Sequence, residues 1–347
     1  MNEAEAVQTT RGHATMSDVA READVSIKSV SRVINNEPHV TARLRERVEA
    51  AIAKLNYVPD PAARSLAGAR SFIIGLLFDN PSPNYTIKVQ AGAYRACMEL
   101  GYHLRIDSVD SLRHDAPALS EQLAQLVRNS RVDGFVVTPP LTDNREVLDF
   151  LEAEGINYAR IAPVIDPGRS PAVVIDDEQA GAGVAQLLWD NGHRRFGMIN
   201  GPAEHGAALT RRRGSLDRIG TLAPDCIVVE GQGGFTFAAG LAAGRDMLAV
   251  DRPPTAIFCA NDDMAAGLMV AAAEAGKKVP RDLSLVGFND SWVASSVWPY
   301  LTTVHQPIEA MAHEAVRIAL QRPSEREEGP IQLAWHIVER DSVAPPA

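Results

Sequence analysis

Strand-length apolar runs alternate with helical stretches from Ser71 to the end of the chain, and this alternation limits the possible folds more than any other feature. It is typical of parallel sheets whose strands are joined by crossover helices. About 270 residues of this pattern, with nine or ten predicted strands, exceed one sheet, so we expect two sheets in two lobes. The strand-like runs lie at 72–78, 133–138, 156–161, 172–175, 195–200, 226–229, 255–260 and 283–288, and the helical stretches include 86–100 and 261–275.

The first seventy residues have a different pattern, which predicts three short helices. Thr15 with Asp18, then Ser26, and then Thr41 are residue types that cap helix N-termini. Apolar residues follow each cap at spacings of three and four, so each helix can bury one face against the other two.

The second predicted helix, near residues 26–34, follows a four-residue turn at 23–26 and buries Val30, Val33 and Ile34. This order is typical of a helix-turn-helix, whose second helix enters the major groove. Lysine and arginine can reach guanine O6 and N7 there, and hydroxyl or amide groups can bind base edges or phosphates. From this window alone, a plain three-helix bundle with solvent-facing charges is an equal alternative. The side chains left outside the buried face are Ile27, Lys28, Ser29, Ser31, Arg32 and, just after the helix, Asn35.

A short segment at 59–70 separates the two patterns. Pro59 and Pro61 end the third helix, and residues 62–68 are too few to form a stable isolated helix. A segment that folds only against a partner suits a hinge that becomes helical on DNA, where Leu66 could wedge into the minor groove. The alternative is a plain linker, although linkers usually contain more Ser, Gly and Pro.

Charge is distributed unevenly along the chain. The net charge is −10, yet residues 11–70 carry ten basic against seven acidic side chains, and residues 71–347 carry 24 against 35. Phosphate attraction acts within roughly 10 Å in 0.1 M salt, so the local balance decides whether a module can bind DNA. The acidic body therefore leaves DNA contact to the basic first unit.

Several other classes of site are excluded by composition and motif. Three separated cysteines without a CxxC pair predict neither a disulfide framework nor a metal site. No apolar stretch approaches the ~20 residues of a bilayer crossing, and the first residues lack a signal-peptide core, which predicts a cytoplasmic protein without membrane contact. Phosphate loops, zinc-protease and nucleophile-elbow motifs are absent or out of context, so we expect neither an enzyme nor a cofactor.

Polar residues that follow the predicted strands are candidates for a ligand cleft, because open α/β sheets bind ligands at the carboxyl ends of their strands. Amides both donate and accept hydrogen bonds, and an aromatic ring can stack on a sugar face, which favours a polyhydroxylated ligand. A helix cap or a turn is the alternative role for each residue, and for Asn261 above all. The candidates are Asp79, Asn84 and Tyr85 after the first strand, Arg160, Asn261 and Asn289.

The motifs taken together resemble the LacI/GalR family of bacterial regulators over residues 15–340. The head and hinge sequence TMSDVAREADVSIKSVSRVINNEPHVTARLRERVEAAIAKLNYVPDPAARSLAGARS is similar to that family almost without gaps. GHRRFGMINGP, the arginine run before Gly214, AIFCANDDMAAG, VPRDLSLVGFND and LTTVHQPIEAM follow in the family's order. Two departures are Asp24, where the family often has glycine, and Asn289, where many members carry aspartate.

The resemblance implies an α/β fold with an N-terminal three-helix helix-turn-helix domain and a two-lobed, periplasmic-binding-protein-like sensor with two parallel sheets. It also implies Arg211, Asn261, Asn289 and Gln306 as ligand-binding residues. The predicted DNA-binding residues are Thr15, Ser26, Ile27, Lys28, Ser29, Ser31, Arg32, Asn35, His39, Leu66 and Ala67, and the predicted ligand-binding residues are Asp79, Asn84, Tyr85, Arg160, Arg211, Asn261, Asn289 and Gln306.

The sequence thus predicts a repressor-type regulator that binds a near-palindromic operator as a homodimer under control of a mono- or oligosaccharide. A periplasmic sugar-binding protein is the alternative, and the first seventy residues argue against it. Helices near 86–100 and 307–321 are the predicted dimer interface. The predicted boundaries are a disordered N-terminus at 1–12, the DNA-binding domain at 13–58, the hinge at 59–70 and the sensor at 71–347, with lobe 1 at about 71–162 and 292–322 and lobe 2 at about 163–291 and 323–342.

Overall fold

A computed structural model describes residues 14–34, 40–57, 70–111, 116–129, 131–325 and 329–346. The chain separates into two compact units, residues 1–71 and 72–347. The predicted DNA contacts Asn35, His39, Leu66 and Ala67 lie outside the described residues, as do the predicted N-terminal segment 1–12 and nearly all of the predicted hinge.

The first unit contains the three predicted helices: α1 (Met16–Glu22), α2 (Ile27–Ile34) and α3 (Ala42–Leu55). Thr15 and Asp18 form a reciprocal capping box at the start of α1, and the Thr41 hydroxyl accepts from the Leu44 amide at the start of α3. One small core joins the helices, with Val19, Val30, Val33, Val48 and Ala51 buried. The predicted caps and the predicted inner face of α2 are confirmed.

The turn between α1 and α2 is held by a side chain from α3. Asp24 adopts the left-handed conformation at φ 50°, which aspartate tolerates better than most residues. Arg47 donates to the carbonyl oxygens of Ala23 at 2.6 Å and of Asp24 at 2.9 Å. The absence of glycine at this turn is therefore compatible with helix-turn-helix geometry.

The second unit contains two sheets, as predicted, but each has six strands, whereas the sequence predicted nine or ten in total. Its strands and helices are β1 (Ile73–Phe78), α4 (Pro83–Leu100), β2 (His103–Ser108), α5 (Ala116–Asn129), β3 (Gly134–Val137), α6 (Arg145–Ala153), β4 (Tyr158–Ile161), β5 (Ala172–Val174), α7 (Asp177–Asp190), β6 (Phe196–Asn200), α8 (Gly206–Leu222), β7 (Val229–Gln232), α9 (Phe237–Leu248), β8 (Ala256–Cys259), α10 (Asp262–Glu274), β9 (Ser284–Phe288), β10 (Thr302–His305), α11 (Ile308–Ala319), β11 (Ile331–Gln332) and β12 (His336–Val338). The first sheet has the order β11-β5-β4-β3-β1-β2 and is parallel throughout, whereas the second has the order β12-β10-β9-β8-β6-β7 with β12 antiparallel.

The chain crosses between the lobes later than the sequence predicted. Lobe 1, built on the first sheet, still includes β5, so the first crossing lies between β5 and α7 rather than near 162. The second and third crossings follow β10 and β11 rather than residues 291 and 322. The predicted boundaries were wrong because the sheet that a strand joins is decided by its neighbours in space, which the sequences of β5, β10 and β11 do not show.

The strand predicted at 226–229 is also misplaced, since β7 begins at Val229. β7 is an edge strand that is only half-buried, so it lacks the continuous apolar run expected of a central strand. Ile227, inside the predicted run, is 85% exposed. No helix among the described residues has both the length and the apolar character needed to cross a bilayer.

Glycine residues allow the helix pairs that cover the sheets to approach closely. On α7 and α8, Gly181 and Gly214 face each other's helix, and an added Cβ would lie 2.1 Å from the Arg211 carbonyl oxygen or 2.0 Å from that of Glu178. An added Cβ at Gly92 of α4 would lie 2.0 Å from a carbonyl oxygen of α11. Main-chain oxygens cannot move aside as a flexible side chain can, so these crossings require glycine.

We expect Gly214→Ala to lower the stability of the second unit by about 1 to 3 kcal/mol, the usual cost of overpacking a tight contact. Calorimetry on the full chain should show its unfolding transition roughly 2 to 4 °C lower for each kcal/mol lost. Gly220→Ala is the matched control, because it lies on the same helix with nothing within 4 Å of an added Cβ. An unchanged transition in Gly214→Ala would contradict this account of the helix pair.

Candidate DNA-reading helix and ligand cleft

The outer side of α2 presents the predicted DNA-facing residues. Ile27 is 51% exposed although it is a large apolar residue, and Lys28 beside it is exposed as well. The Ser26 hydroxyl accepts from the Ser29 amide at 3.1 Å and lies 2.9 Å from the Ser29 hydroxyl, so this pair caps the helix. Ser31 and Arg32, one turn on, are half-buried. Within α2, the first turn is therefore more accessible than the second.

Thr15 is engaged within its own helix. Its hydroxyl donates to the Asp18 carboxylate at 2.6 Å, and its main-chain amide donates to the same oxygen at 2.9 Å. The bonds from Thr15 are the main reason that the pKa of Asp18 is lowered. A contact between Thr15 and DNA remains a prediction. In such a contact we expect the Thr15 hydroxyl to keep its hydrogen bond to Asp18.

The candidate ligand site lies between the two lobes, where the carboxyl ends of both sheets meet. An inner pocket there has a free volume of about 10 Å³, which is space for about one water molecule. A chamber of about 390 Å³ adjoins it and shares Asn80, His205 and Phe235 with it. The inner pocket is lined by Asn80, Ser82, Tyr85, His205, Arg211, Phe235, Asn261 and Asn289.

Arg211, which lines the inner pocket, belongs to a buried ion pair. Arg211 Nε donates to the Asp177 carboxylate at 2.6 Å, and a terminal nitrogen donates to the Ala260 carbonyl at 3.0 Å. The guanidinium also lies 3.8 Å from the centre of the Phe288 ring. Burial raises the pKa of Asp177 and the charge of Arg211 opposes that rise. The two charges largely compensate each other inside the protein.

Three polar atoms in the inner pocket are buried without a hydrogen-bond partner in the described structure. They are the Tyr85 hydroxyl, His205 Nδ1 and Asn289 Oδ1. Burial, assisted by nearby Arg211, lowers the pKa of His205 to about 3, so its imidazole is neutral at physiological pH. Burial likewise raises the pKa of Tyr85, which keeps its phenol protonated. The pocket thus offers uncharged groups, and leaving them unpaired costs free energy.

An aromatic ring completes the pocket. Phe235 is buried, and the His205 ring meets it edge-on with centroids 4.9 Å apart. Asn261 holds the Phe235 loop by donating to its carbonyl oxygen at 2.9 Å, and its side-chain oxygen caps α10 by accepting from Met264. The capping role considered for Asn261 is confirmed, and the residue lines the pocket as well.

Three predicted ligand contacts lie elsewhere in the structure. Arg160 is fully buried in lobe 1, where it donates to Ser170 and to the carbonyl oxygens of residues 142, 165 and 166. It therefore holds a loop together, and its assignment as a ligand contact was wrong. Asn84 bonds Asp263 and Trp292 of lobe 2, and Gln306 lines a separate groove between α4 and α11.

Asp79 lines the chamber rather than the inner pocket. Its carboxylate accepts from the amide and the hydroxyl of Ser111 at 2.9 and 2.6 Å. Of the eight predicted ligand residues, Tyr85, Arg211, Asn261 and Asn289 are the four that the fold brings together in the inner pocket.

Sequence reasoning missed His205, Phe235 and the ion-pair partner Asp177. His205 follows β6 in the loop GPAEH, so the rule that polar residues after a strand line the cleft would have included it. Phe235 follows β7, and the misplaced prediction of that strand hid its position. Asp177 gave no such signal, because it resembles any acidic residue in the first turn of a helix.

Comparisons with known proteins agree with these two units. Residues 15–60 match the model of "Bacterial regulatory proteins, lacI family", and residues 185–343 match that of a periplasmic binding protein-like domain. The chain is 32% identical over 336 residues to the ribose operon repressor of Escherichia coli strain K12, covering 95% of this chain and 99% of that protein. It is 34% identical over 342 residues to the transcriptional repressor PurR of Klebsiella pneumoniae strain 342, covering 95% and 97%.

Solved structures show the same likeness. A lac repressor dimer bound to operator and the anti-inducer ONPF is 28% identical with a TM-score of 0.77, covering 96% of this chain and all of that one. The complex of the regulator CelR with cellobiose is 28% identical with a TM-score of 0.70, covering 95% and 99%. With the helix-turn-helix unit and the two-lobed unit on one chain, these matches show that the protein belongs to the lacI family of bacterial regulatory proteins.

Proposed function

We propose that the protein is a repressor whose affinity for a near-palindromic operator is set by a small saccharide bound between the lobes. Ligand-responsive DNA binding follows from the family, and the saccharide and the repressing sense are supported by relatives whose names include a ribose operon repressor and a cellobiose complex. A regulator of this kind acts on the chromosome, so we place it in the cytoplasm. A periplasmic sugar-binding role would leave the helix-turn-helix unit without a function.

The observation that carries the ligand proposal is the set of unpartnered polar atoms in the inner pocket. The Tyr85 hydroxyl, His205 Nδ1 and Asn289 Oδ1 include both donor and acceptor capacity, and all three groups are uncharged. A saccharide hydroxyl donates and accepts at once, so it can satisfy such mixed groups. Phe235 offers an apolar surface for a ring, and buried Arg211 extends the polar wall.

We propose that the DNA-binding surface is the outer side of α2, with Lys28 and Ile27 on its first turn. Arg32, Ser31 and Ser29 extend the surface, and the predicted contacts outside the described residues would complete it. One such unit makes few contacts, whereas two related by a twofold axis read a palindromic site.

The proposed dimer interface is an apolar stripe on α4. Ile87, Tyr94 and Met98 recur at helical spacing and are 61%, 58% and 61% exposed. Ile106 on the neighbouring edge strand β2 is 43% exposed, and the edge itself can pair with another strand. The lac repressor solved with its operator is described as a dimer, which supports a second copy of the chain as the occupant.

In the proposed mechanism, ligand binding changes the angle between the lobes and hence the spacing of the two DNA-binding units in the dimer. Coupling of this kind typically amounts to about 1 to 3 kcal/mol, or roughly 5- to 150-fold in operator affinity. The inner pocket holds only about one water molecule in the arrangement described, so a saccharide can enter it only if the lobes move.

A thermal-shift screen of mono- and oligosaccharides, starting with ribose and cellobiose, tests the ligand proposal. For the saccharide that stabilises the protein, we expect Tyr85→Phe to weaken binding about 3- to 10-fold, because one hydrogen bond contributes about 0.5 to 1.5 kcal/mol. The same change should leave the ligand-free protein as stable or more stable, since it removes a buried hydroxyl without a partner. Calorimetric titration and thermal unfolding measure the two effects, and tighter binding by Tyr85→Phe would refute the pocket assignment.

For DNA binding, we expect Lys28→Ala to weaken binding to an operator selected from random duplexes by about 5- to 150-fold, the equivalent of losing a contact worth 1 to 3 kcal/mol. Lys54→Ala is the control, because the Lys54 ammonium pairs with Glu22 at 2.7 Å on another helix. Fluorescence anisotropy at fixed salt gives both affinities. If Lys28→Ala and the wild type bound the operator with equal affinity, Lys28 would not be part of the DNA-binding surface.

For assembly, Tyr94→Asp should convert the dimer to a monomer at micromolar concentration, since it buries an unpaired charge in an apolar interface. Val250→Asp is the control, as it places the same charge on an apolar residue of lobe 2 that is 41% exposed. Sedimentation velocity distinguishes the states. A dimer of unchanged affinity in Tyr94→Asp would exclude α4 from the interface.

A further inference from the structure

Two contacts join the lobes beside the inner pocket, and neither involves the unpartnered polar atoms of that pocket. We call the first the latch: Asp263 of lobe 2 with Ser82 and Asn84 of lobe 1. We call the second the glycine stop: Gly206 of lobe 2 against Asp143 and Val164 of lobe 1. Each brings together residues of different lobes, so both exist only when the lobes are close together.

The latch is a carboxylate held by two donors from the opposite lobe. Ser82 donates its hydroxyl to Asp263 at 2.7 Å, and the Asn84 amide donates to the other carboxylate oxygen. Ser82 and Asn84 are 2% and 8% exposed, so the bonds are shielded from water. Lys88 strengthens the same end by donating to the carbonyl oxygens of Asn289 and Asp290 at 3.0 and 2.6 Å.

The glycine stop lies where α8 begins. A Cβ added to Gly206 would lie 2.5 Å from Asp143 Oδ2 and 3.0 Å from Val164 Cβ. The Asp143 carboxylate cannot turn aside easily, because its other oxygen accepts from the amides of Val164 and Ile165, each at 2.9 Å. The lobes can therefore approach this closely only because residue 206 has no side chain.

We propose that the latch and the glycine stop are the closing device of the sensor: the latch holds the lobes together, and Gly206 sets how far they close. Asp263→Ala releases the first contact, and Gly206→Ala blocks the second, so both variants shift the ligand-free protein toward an open arrangement. The inner pocket admits a ligand only in that open arrangement, so the device opposes ligand entry. This consequence rests on the proposed ligand-binding function, whereas the opening itself is measured without ligand.

The opening is measured by the distance between spin labels on the full chain. Glu121→Cys on α5 and Ala273→Cys on α10 place labels on exposed positions of the two lobes, in a Cys226→Ser background, while Cys97 and Cys259 are buried. Dilution with unlabelled protein suppresses distances between subunits. We expect one short distance in the parent and a shift to longer distances in Asp263→Ala and in Gly206→Ala.

Two control variants isolate the lobe contacts. Gly220→Ala adds the same methyl group to the same helix with nothing within 4 Å. Glu274→Ala removes a carboxylate from the helix of Asp263, but its partner Arg245 lies in the same lobe. Both controls should keep the parent distance.

Chemical modification gives an independent readout. His205 is 5% exposed at the cleft and stays unprotonated with a pKa of about 3, so diethyl pyrocarbonate should modify it as soon as the cleft opens. His193 is 1% exposed within lobe 2 and serves as an internal control. We expect several-fold faster modification of His205, and unchanged protection of His193, in the two variants.

Parent-like distances and parent-like His205 protection in both variants would overturn the proposal, as would an open distance distribution in the parent. Failure of the saccharide screen would leave these measurements unaffected, because none of them uses a ligand. The closing device and the proposed ligand can therefore fail separately.

Discussion

The ion pair between Arg211 and Asp177 determines the character of the cleft. Asp177 is the first residue of α7, directly after the chain crosses from lobe 1, and Arg211 lies on α8. Both side chains are more than nine-tenths buried, so neither charge can be left alone without a cost of about 3 to 5 kcal/mol. Because Asp177 neutralises most of the charge of Arg211, the guanidinium lies at the pocket wall without attracting anions strongly. The same guanidinium helps to keep neighbouring His205 neutral, so the pocket combines a fixed charge pair with uncharged hydrogen-bonding groups.

Stability and ligand binding are in conflict in this pocket. A buried polar atom left without any hydrogen-bond partner costs about 1 to 3 kcal/mol, and three polar atoms of the inner pocket find no partner among the protein groups that the structure describes. A core of apolar residues in the same place would be more stable and would bind nothing. The glycine-mediated helix pairs and the continuous apolar cores beneath the sheets supply the stability that the pocket lacks.

The sequence predicted features that depend on local pattern and failed where distant segments decide the outcome. The caps at Thr15, Ser26 and Thr41 and the inner face of α2 depend on neighbouring residues, and the structure confirms them. Arg160 illustrates the opposite case. It lies near the end of β4, but its guanidinium donates to the loop that follows the strand and to the carbonyl oxygen of residue 142. Asn84 lies one residue from a true pocket residue on α4, and the helical rotation turns it toward lobe 2 instead. The rule that polar residues after parallel strands line a cleft identifies the correct edge of the sheet. Side-chain packing then decides which of those residues faces the cavity.

Helix α4 is where sensing and assembly meet within the sensor. Ser82 lines the inner pocket, caps α4 through the Tyr85 amide at 3.3 Å and bonds Asp263 across the cleft. The opposite side of the same helix presents Tyr94 and Met98, the centre of the proposed dimer interface. A helix with an intact hydrogen-bond ladder moves as a rigid body, so a displacement of its first turn on ligand binding must also displace the apolar stripe. α4 packs closely against α11 at Gly92, so we expect the two helices to move together. In the proposed dimer, the pocket therefore needs no long chain of intermediates to reach the second subunit, because α4 lines the pocket at one end and carries the proposed interface.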